Sequence, residues 1–559
     1  METTNMIHKN AVIKPISILF ASLFILTTQS MFADETASTE TSVDEQISLP
    51  DVSTKLDLEK QNIDDAAIPD FTQILPDSDT SSDELPVLQD GTDTDIALEA
   101  ISQKTDTVEI PPVYLEGVIG GGYPGIFIGN FNVYQTAGDN PFSVLFSHEA
   151  VNGYGQHEAS DGFNNSETSL VGSKFLKISD KVTFDGTAEY NTSTWGLQSL
   201  SDYFYNMSRQ YIGGEGTLST QVNDIFSVQT NVDASYVTRF AGFAGDIDTS
   251  TETIYTGPTL ITASPTITGI IKKNKLYLDF GGSYKFASLD SSVDDNDGYL
   301  QHGQIDTSVM YSFSESIEAK AGIGGSYSNN ATTNTTVPFY LGIDIVEPFL
   351  TVKLNGGMNS SQTDISSLQE KYPFVHFEKV PKEESNWFGS LDAHVPFMQS
   401  FATNLAVDFS KTAFGNERLC PDYSEQDASG MYSSVYKDMT ELNSELSFSM
   451  QFGRVGIDTG WNAKWLDKID DENEHEVFGN ISYTSNAGKG GAQLIILQSI
   501  IDADTPDISC SAFYHFAQPF QVELSFDDIL LLFTGEDRLI AGDYCGQGGS
   551  VSLLMKLFF

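Results

Sequence analysis

Runs of about 9–14 residues in this chain alternate strictly between apolar and polar side chains, and few folds accommodate that. From Phe226 to Tyr236 the even positions (Phe226, Val228, Val232, Ala234, Tyr236) are apolar or mild and the odd ones polar. Val182, Phe184 and Tyr190 alternate with Thr183, Asp185 and Glu189, and Leu276, Leu278 and Phe280 with Tyr277 and Asp279. Phe401, Leu405, Val407 and Phe409 alternate with Asn404 and Asp408. The pattern returns in Val455, Ile457 and Trp461, and in Phe520, Val522, Leu524 and Phe526. Successive side chains of a strand point to opposite faces, so each run is a strand with one apolar and one polar face. Soluble strands average about 5–6 residues, whereas a tilted strand needs about 9–11 to cross a bilayer. A soluble sandwich would show shorter strands with closer-spaced turns.

The connectors point the same way. Tight turns at 179–181, 223–224, 272–274, 347–348, 453–454 and 518–519 alternate with longer polar links such as 153–165, 194–207, 241–253, 329–334, 362–385, 412–443 and 534–547. Outer-membrane barrels have short periplasmic turns and longer external loops. Together with a short turn at 121–125 and a hairpin near 138–140, the spacing predicts an all-β fold. It is a transmembrane antiparallel up-and-down β-barrel of about 22 strands (range 16–22), over residues 111–559. The even count puts both ends of the domain on the periplasmic side.

The last strand is distinctive. Val551, Leu553, Met555, Leu557 and Phe559 alternate with Ser552, Leu554, Lys556 and Phe558, and the chain ends on Phe559. An alternating apolar strand with a terminal aromatic resembles the insertion signal of outer-membrane proteins, which implies the barrel-assembly machinery and outer-membrane lipid as partners.

The N-terminus carries Lys9 and Lys14, an apolar core from Ile16 to Leu26 and a small-residue exit ending at Ala33. That is the pattern of a secretory signal peptide, 1–33, and localisation to the cell outer membrane after export and cleavage is the expectation. From Asp34 to Ile110, twenty-one acidic residues face only Lys55, Lys60 and Lys104. Its apolar residues are too scattered to offset the entropy of ordering the backbone, so 34–110 reads as a disordered acidic periplasmic leader. A docking segment for a periplasmic protein is the alternative.

Composition removes other classes. With 78 acidic against 28 basic residues the net charge is −50, which argues against nucleic acid as a partner. Three cysteines exclude a disulfide scaffold and a Cys-rich metal cluster. Cys420 and Cys545 both fall in expected external loops of an oxidising compartment, where they are able to pair. No catalytic constellation is present: His148-Glu149 and His475-Glu476 lack a second His at i+4, and Gly488-Lys489-Gly490-Gly491 lacks the rest of a phosphate loop. No enzyme activity, cofactor or metal is assigned. Acidic runs at 290–298 and 467–476 offer carboxylates for calcium, but a solvated face is the plainer reading.

With the apolar face toward lipid, the inward set includes Asp185, Glu189, Asp233, Asp279, Glu318, Asp408, Asp458 and Glu523, against Lys320, Lys353 and Lys556. Rings of carboxylates favour cations. Strand side chains alone do not fill a barrel of more than 16 strands, so something narrows it. The longest links, 362–385 and 412–443, are the candidates; the first holds the apolar-basic stretch 371–382, which folds either inward as a constriction or outward as a contact surface, inward being slightly favoured.

The segments 115–127 (LEGVIGGGYPGIF) and 140–148 (NPFSVLFSH) resemble the opening of plugless barrels related to TonB-dependent receptors, over about the first 80 residues of the domain. Asp106-Thr107-Val108-Glu109 loosely resembles the box by which such receptors engage their energiser. The family carries a folded plug before its barrel, and here the acidic leader occupies that place, which puts energised uptake in doubt. The leading expectation is a passive, porin-like channel passing small hydrophilic solutes through a polar, cation-preferring lumen. The alternatives are a surface adhesin or ligand-binding barrel acting through its loops, a plugless TonB-receptor-like transporter, and a carrier for hydrophobic molecules, for which the inward faces are too polar.

Overall fold

A computed structural model of the chain describes residues 113–243, 256–290, 298–330, 332–377, 382–398, 400–467, 474–485, 488–501, 505–517 and 519–559. The expected signal peptide, the acidic leader, most of the acidic loop 290–298 and the centre of 467–476 lie outside the described residues.

Twenty-two antiparallel strands close on themselves. The first arc runs β1 (Tyr114–Tyr123), β2 (Ile126–Gln135), β3 (Phe142–Asn152), β4 (Asn164–Ser179), β5 (Val182–Gly196), β6 (Phe204–Gln221) and β7 (Phe226–Phe243). It continues through β8 (Thr256–Lys273), β9 (Leu276–Asp290), β10 (Gly298–Ser312) and β11 (Ile317–Asn330). Next come β12, in two pieces (Thr332–Thr336 and Phe339–Glu347), β13 (Leu350–Gln362), β14 (Glu383–Met398), β15 (Phe401–Thr412) and β16 (Thr440–Phe452). The ring ends with β17 (Val455–Lys464), β18 (His475–Thr484), β19 (Gly490–Ser499), β20 (Asp507–Ala517), β21 (Phe520–Asp527) and β22 (Ser550–Phe558). Each strand pairs with its sequence neighbour, and β1 pairs with β22 from Glu116↔Phe558 to Tyr123↔Val551. Leu115 and Phe559 exchange backbone hydrogen bonds of 2.9 and 2.8 Å, so both ends of the barrel domain meet at one rim.

The alternation partitions as the sequence predicts. On β7, Val232, Tyr236 and Phe240 are exposed while Val237 and Arg239 between them are buried. On β10, Ile305 is 73% exposed, whereas Leu300 and His302 on the other face are buried. An unbroken outward row of exposed Ile, Val, Phe and Tyr is unfavourable in water and favourable against acyl chains. The wall is a transmembrane surface.

Ten connections at one rim are tight, such as 180–181, 274–275, 348–349 and 453–454. The opposite rim carries the long ones, 153–163, 197–203, 363–382, 413–439 and 528–549. Two links depart from the expected asymmetry. The turn Pro124-Gly125 sits at the loop rim, and β11 passes to β12 through residue 331 alone, where a longer link over 329–334 is expected. Ser326↔Thr336 and Ile323↔Phe339 keep one register, with Gly324 N–H donating to Pro338 O at 2.8 Å between them, so both pieces belong to one strand that pairs with β11 almost to its end.

Candidate functional site: a loop core across the barrel

The long connections fold together into a body with its own apolar core. The 363–382 link forms a short helix, α1 (Ile365–Lys371), whose first turn is capped by Asp364 through Ser367. The 413–439 link forms a hairpin of Arg418–Gln426 with Tyr432–Lys437. The 528–549 link holds a second short helix, α2 (Ile529–Thr534), and a small strand pair. Ile365, Tyr372, Phe374, Val375 and Phe377 bury against Leu419, Met431, Tyr432 and Tyr544, and against Leu197, Met207 and Val237 of the wall and its nearest link.

Polar bonds tie the same pieces. Phe374 stacks on Tyr544 with centroids 3.7 Å apart. The backbone N–H of His376 donates to Tyr432 O (2.8 Å) and that of Tyr432 to Phe374 O (2.9 Å). Gln198 Nε2 donates to Cys545 O at 2.7 Å, and Cys545 N–H returns a bond to Gln198 Oε1 at 2.8 Å. His157 meets Asp537 at 2.9 Å. Asp427 receives bonds from Ser429 and Met431 backbone N–H and lies 3.3 Å from His376. Partial burial pushes the Asp427 carboxyl up, but hydrogen bonds from His376 and Ser429 and the charge of His376 outweigh it and hold it at about 2.

This body sits across the lumen. Arg209 on β6 and Arg239 on β7 occupy the parity opposite to exposed Ile212 and Phe240, so both point inward. Arg239 donates to the carbonyls of Val375 (2.6 Å), Pro373 (2.7 Å) and Gln369 (3.2 Å). Arg209 donates to Ser366 O and Oγ (3.2 and 2.9 Å) and lies 3.6 Å from Glu370. The link they hold leaves the wall at β13, six strands away from β7. At about 4.8 Å per strand and a tilt near 40°, that is an arc of roughly 35 Å. The inward fold expected of 362–385 is what the described residues 363–377 adopt.

Arginine is scarce here, five in the whole chain, and four of them anchor these connections. Besides Arg209 and Arg239, Arg418 pairs with Glu441 at the foot of the hairpin, and Arg538 bonds Asp528 at 2.7 Å beneath α2. A planar guanidinium offers several donors with less desolvation than an ammonium, which suits a buried clamp on carbonyls. Sequence reasoning missed Arg209 and Arg239. The available signal was a full charge at an inward strand position near the loop rim.

The expected lumen residues Asp185, Glu189, Asp233, Asp279, Glu318, Lys320, Lys353, Asp408, Asp458 and Glu523 all stand on barrel strands, on the face opposite the exposed apolar row. Two lysines of the inward set are taken up by neighbours: Lys320 pairs with Asp344, and Lys556 with Glu523 at 2.8 Å. Glu318 accepts from Ser312 and Asp279 from Ser308. Glu189 and Asp233 come together in a cavity of about 350 Å³ between the wall and α1, with Arg209, Tyr211 and Lys285 beside them and Asp364 and Glu370 from the helix. On β22, Leu553, Met555 and the terminal Phe559 are exposed toward lipid.

Cys420 and Cys545 both belong to the loop body, and both are free thiols, as is Cys510. The pairing considered from their shared compartment is not formed: Cys420 is buried on the hairpin opposite Val435, and Cys545 is held by Gln198. His148 bonds Thr168, and His475 stacks on Trp461. Among the described residues no group of three or more His, Cys, Asp or Glu is placed to hold a metal ion.

No protein-family model and no curated protein matches the sequence. Solved structures do match in shape. The FrpB iron transporter from Neisseria meningitidis (F5-1 variant) superposes with a TM-score of 0.63 at 8% identity, over 80% of this chain and 83% of that one. The ferric enterobactin receptor PfeA from Pseudomonas aeruginosa gives 0.58 at 8%, over 80% and 81%. The copper transporter OprC gives 0.59 at 10%, again over 80% and 81%. At such identities the likeness establishes the fold alone: a closed 22-stranded β-barrel of the shape these transporters and receptors have.

Proposed function

We propose that the chain is an outer-membrane transporter that passes small hydrophilic solutes, cations preferred, through a lumen whose outer end is closed by its own folded loops. The observation that carries this reading is the loop core clamped by Arg209 and Arg239, which lies between the exterior and a polar, carboxylate-rich interior. A loop core this well packed favours a lumen that is closed at rest. Passage then requires the loop body to loosen, and the barrel is a gated conduit rather than a constantly open one. Asp185, Glu189, Asp233, Asp279, Asp408 and Asp458 have no basic side chain within 4.0 Å among the described residues, and they set the negative potential of the path.

The test is conductance of the refolded mature chain in a planar bilayer under a salt gradient. The expected record is mostly closed with infrequent cation-selective openings. Steady large conductance overturns the closure, and anion selectivity overturns the role of the carboxylates. The folded loop body also favours a second reading, a barrel that binds a ligand at its outer surface: a preformed apolar core makes those loops a rigid platform. A chain that stays silent even when its clamp is cut would favour that reading.

A further inference from the structure

The cavity between α1 and the wall has a composition that the loop closure does not explain. Arg209 is spent on Ser366 and Glu370, and Asp364 on capping the helix. What remains is a bipolar set. Glu189 on β5 and Asp233 on β7 have no ion-pair partner within 4.0 Å among the described residues, and neither does Lys285 on β9. Arg209 lines the same cavity, is 2% exposed, and leaves its Nε without an acceptor. The orphaned buried donor is costly unless something bonds it, and the half-exposed charges of both signs beside it give the cavity a bipolar lining for a ligand. The volume of about 350 Å³ is at the lower end of the range for small-molecule sites, about 300–1,000 Å³.

We infer that this cavity binds a small solute with an ammonium group at one end, held between Glu189 and Asp233, and an acceptor such as a carboxylate at the other, met by Lys285. Tyr211, standing between the two carboxylate-bearing strands, offers its ring and hydroxyl to the linking atoms. Of the charges left over, two carboxylates face one base, so the ammonium pole is the one that selects. This deepens the transport reading by naming the solute class, and it rests on that reading only for how the solute arrives.

The experiment is equilibrium calorimetry on the folded mature chain in detergent at low salt, with 4-aminobutanoate as probe and butanoate and butylammonium as controls. The expected result is one saturable site for 4-aminobutanoate, weaker binding of butylammonium and none of butanoate. Glu189→Gln and Asp233→Asn each weaken 4-aminobutanoate by at least tenfold. Lys285→Met weakens 4-aminobutanoate but leaves butylammonium unchanged. Asp180→Asn, in an exposed turn at the opposite rim, changes nothing, and heat-modifiable migration confirms that each variant is folded. No saturable binding, equal binding of butanoate, or indifference to E189Q and D233N overturns the inference. Because no voltage or opening is involved, a chain that binds without conducting sinks the transport reading alone. One that conducts while its binding ignores these substitutions sinks the site alone.

Discussion

Arg239 on the barrel wall donates to the carbonyl oxygen of Val375 at 2.6 Å, joining a strand to a link that leaves the wall six strands away. Both residues are buried, Arg239 at 1% exposure and Val375 at 0%. A wide barrel has the strand count to leave a channel, and here a charge on the wall converts a flexible link into part of the interior. The same guanidinium reaches Pro373 and Gln369, so one side chain fixes the turn that follows α1.

Arg239→Ala should therefore release the closure while leaving the barrel intact. Hydrogen bonds to a charged group contribute about 1.5–3 kcal/mol each, and three on one side chain are not additive. A net loss of about 3 kcal/mol in the closed state raises the open population on the order of 100-fold. Single-channel recording should show that rise with unchanged heat-modifiable mobility, and Arg239→Lys should recover part of the closure because a point charge does not reach all three carbonyls. An unchanged open probability in the alanine variant would remove Arg239 from the gate.

The cysteines give a chemical test of the loop body. Burial pushes the thiols of Cys420 and Cys545 up to about 11, so neither has appreciable thiolate at neutral pH. Maleimide labelling of the native protein should be slow at both positions and complete after unfolding, with no change in mass on reduction. Fast labelling of Cys420 would mean that the hairpin does not pack as described.

Much of the fold is legible in the sequence, because a barrel wall is a local code. Each strand declares its two faces through side chains two residues apart, as Val232, Asp233 and Ala234 do, and the turns between strands are short. The strand number, the inward set and the closing strand ending at Phe559 all follow from that periodicity. The loop core is not local. Phe374 and Tyr544 stack across 170 positions of sequence, and Gln198 bonds Cys545 across 347. Nothing in the neighbourhood of either residue encodes its partner. What the sequence did carry was an anomaly of composition, the apolar-basic stretch 371–382, which marks where the lumen is filled but not by which contacts. The cavity at Glu189 and Asp233 was half visible: the wall carboxylates are predictable from parity, while Arg209 and α1 are needed to turn a stripe of charge into an enclosed site.

Asp427 sets how the loop body responds to acid. Its carboxyl, held at about 2, lies well below the ordinary aspartate value near 3.8. A depressed folded-state value contributes stability that is fully present above the unfolded value and is lost as pH falls through the folded one. The 429–431 turn should thus stay protected down to about pH 4 and loosen between about pH 4 and 2. Hydrogen exchange at the Ser429 and Met431 amides, which donate to Asp427 Oδ1 at 2.9 and 3.1 Å, should report the change after correction for intrinsic rates. Asp427→Asn should show raised exchange already at neutral pH. Flat protection in the wild type from pH 5 to 2 would place the stability of that turn elsewhere.

The seam between β1 and β22 closes the barrel, and glycine permits its approach. A Cβ on Gly122 would stand 2.0 Å from Val551 O, and one on Gly120 would stand 2.6 Å from Leu553 O. These are main-chain atoms of the partner strand; at Gly120 the Leu554 side chain crowds the site as well, whereas at Gly122 all three nearest atoms are main chain and none swings aside. Gly122→Ala must push the first strand away from the last, and overpacking of this kind costs about 1–3 kcal/mol. Gly117 is the matched control on the same strand, because a Cβ added there would meet nothing within 4 Å. The temperature at which the folded band converts to the unfolded one in semi-native electrophoresis should drop for Gly122→Ala and hold for Gly117→Ala. Equal behaviour of the two variants would mean that the seam is loose enough to absorb a methyl group, and that closure depends on the end-to-end bonds between Leu115 and Phe559 instead.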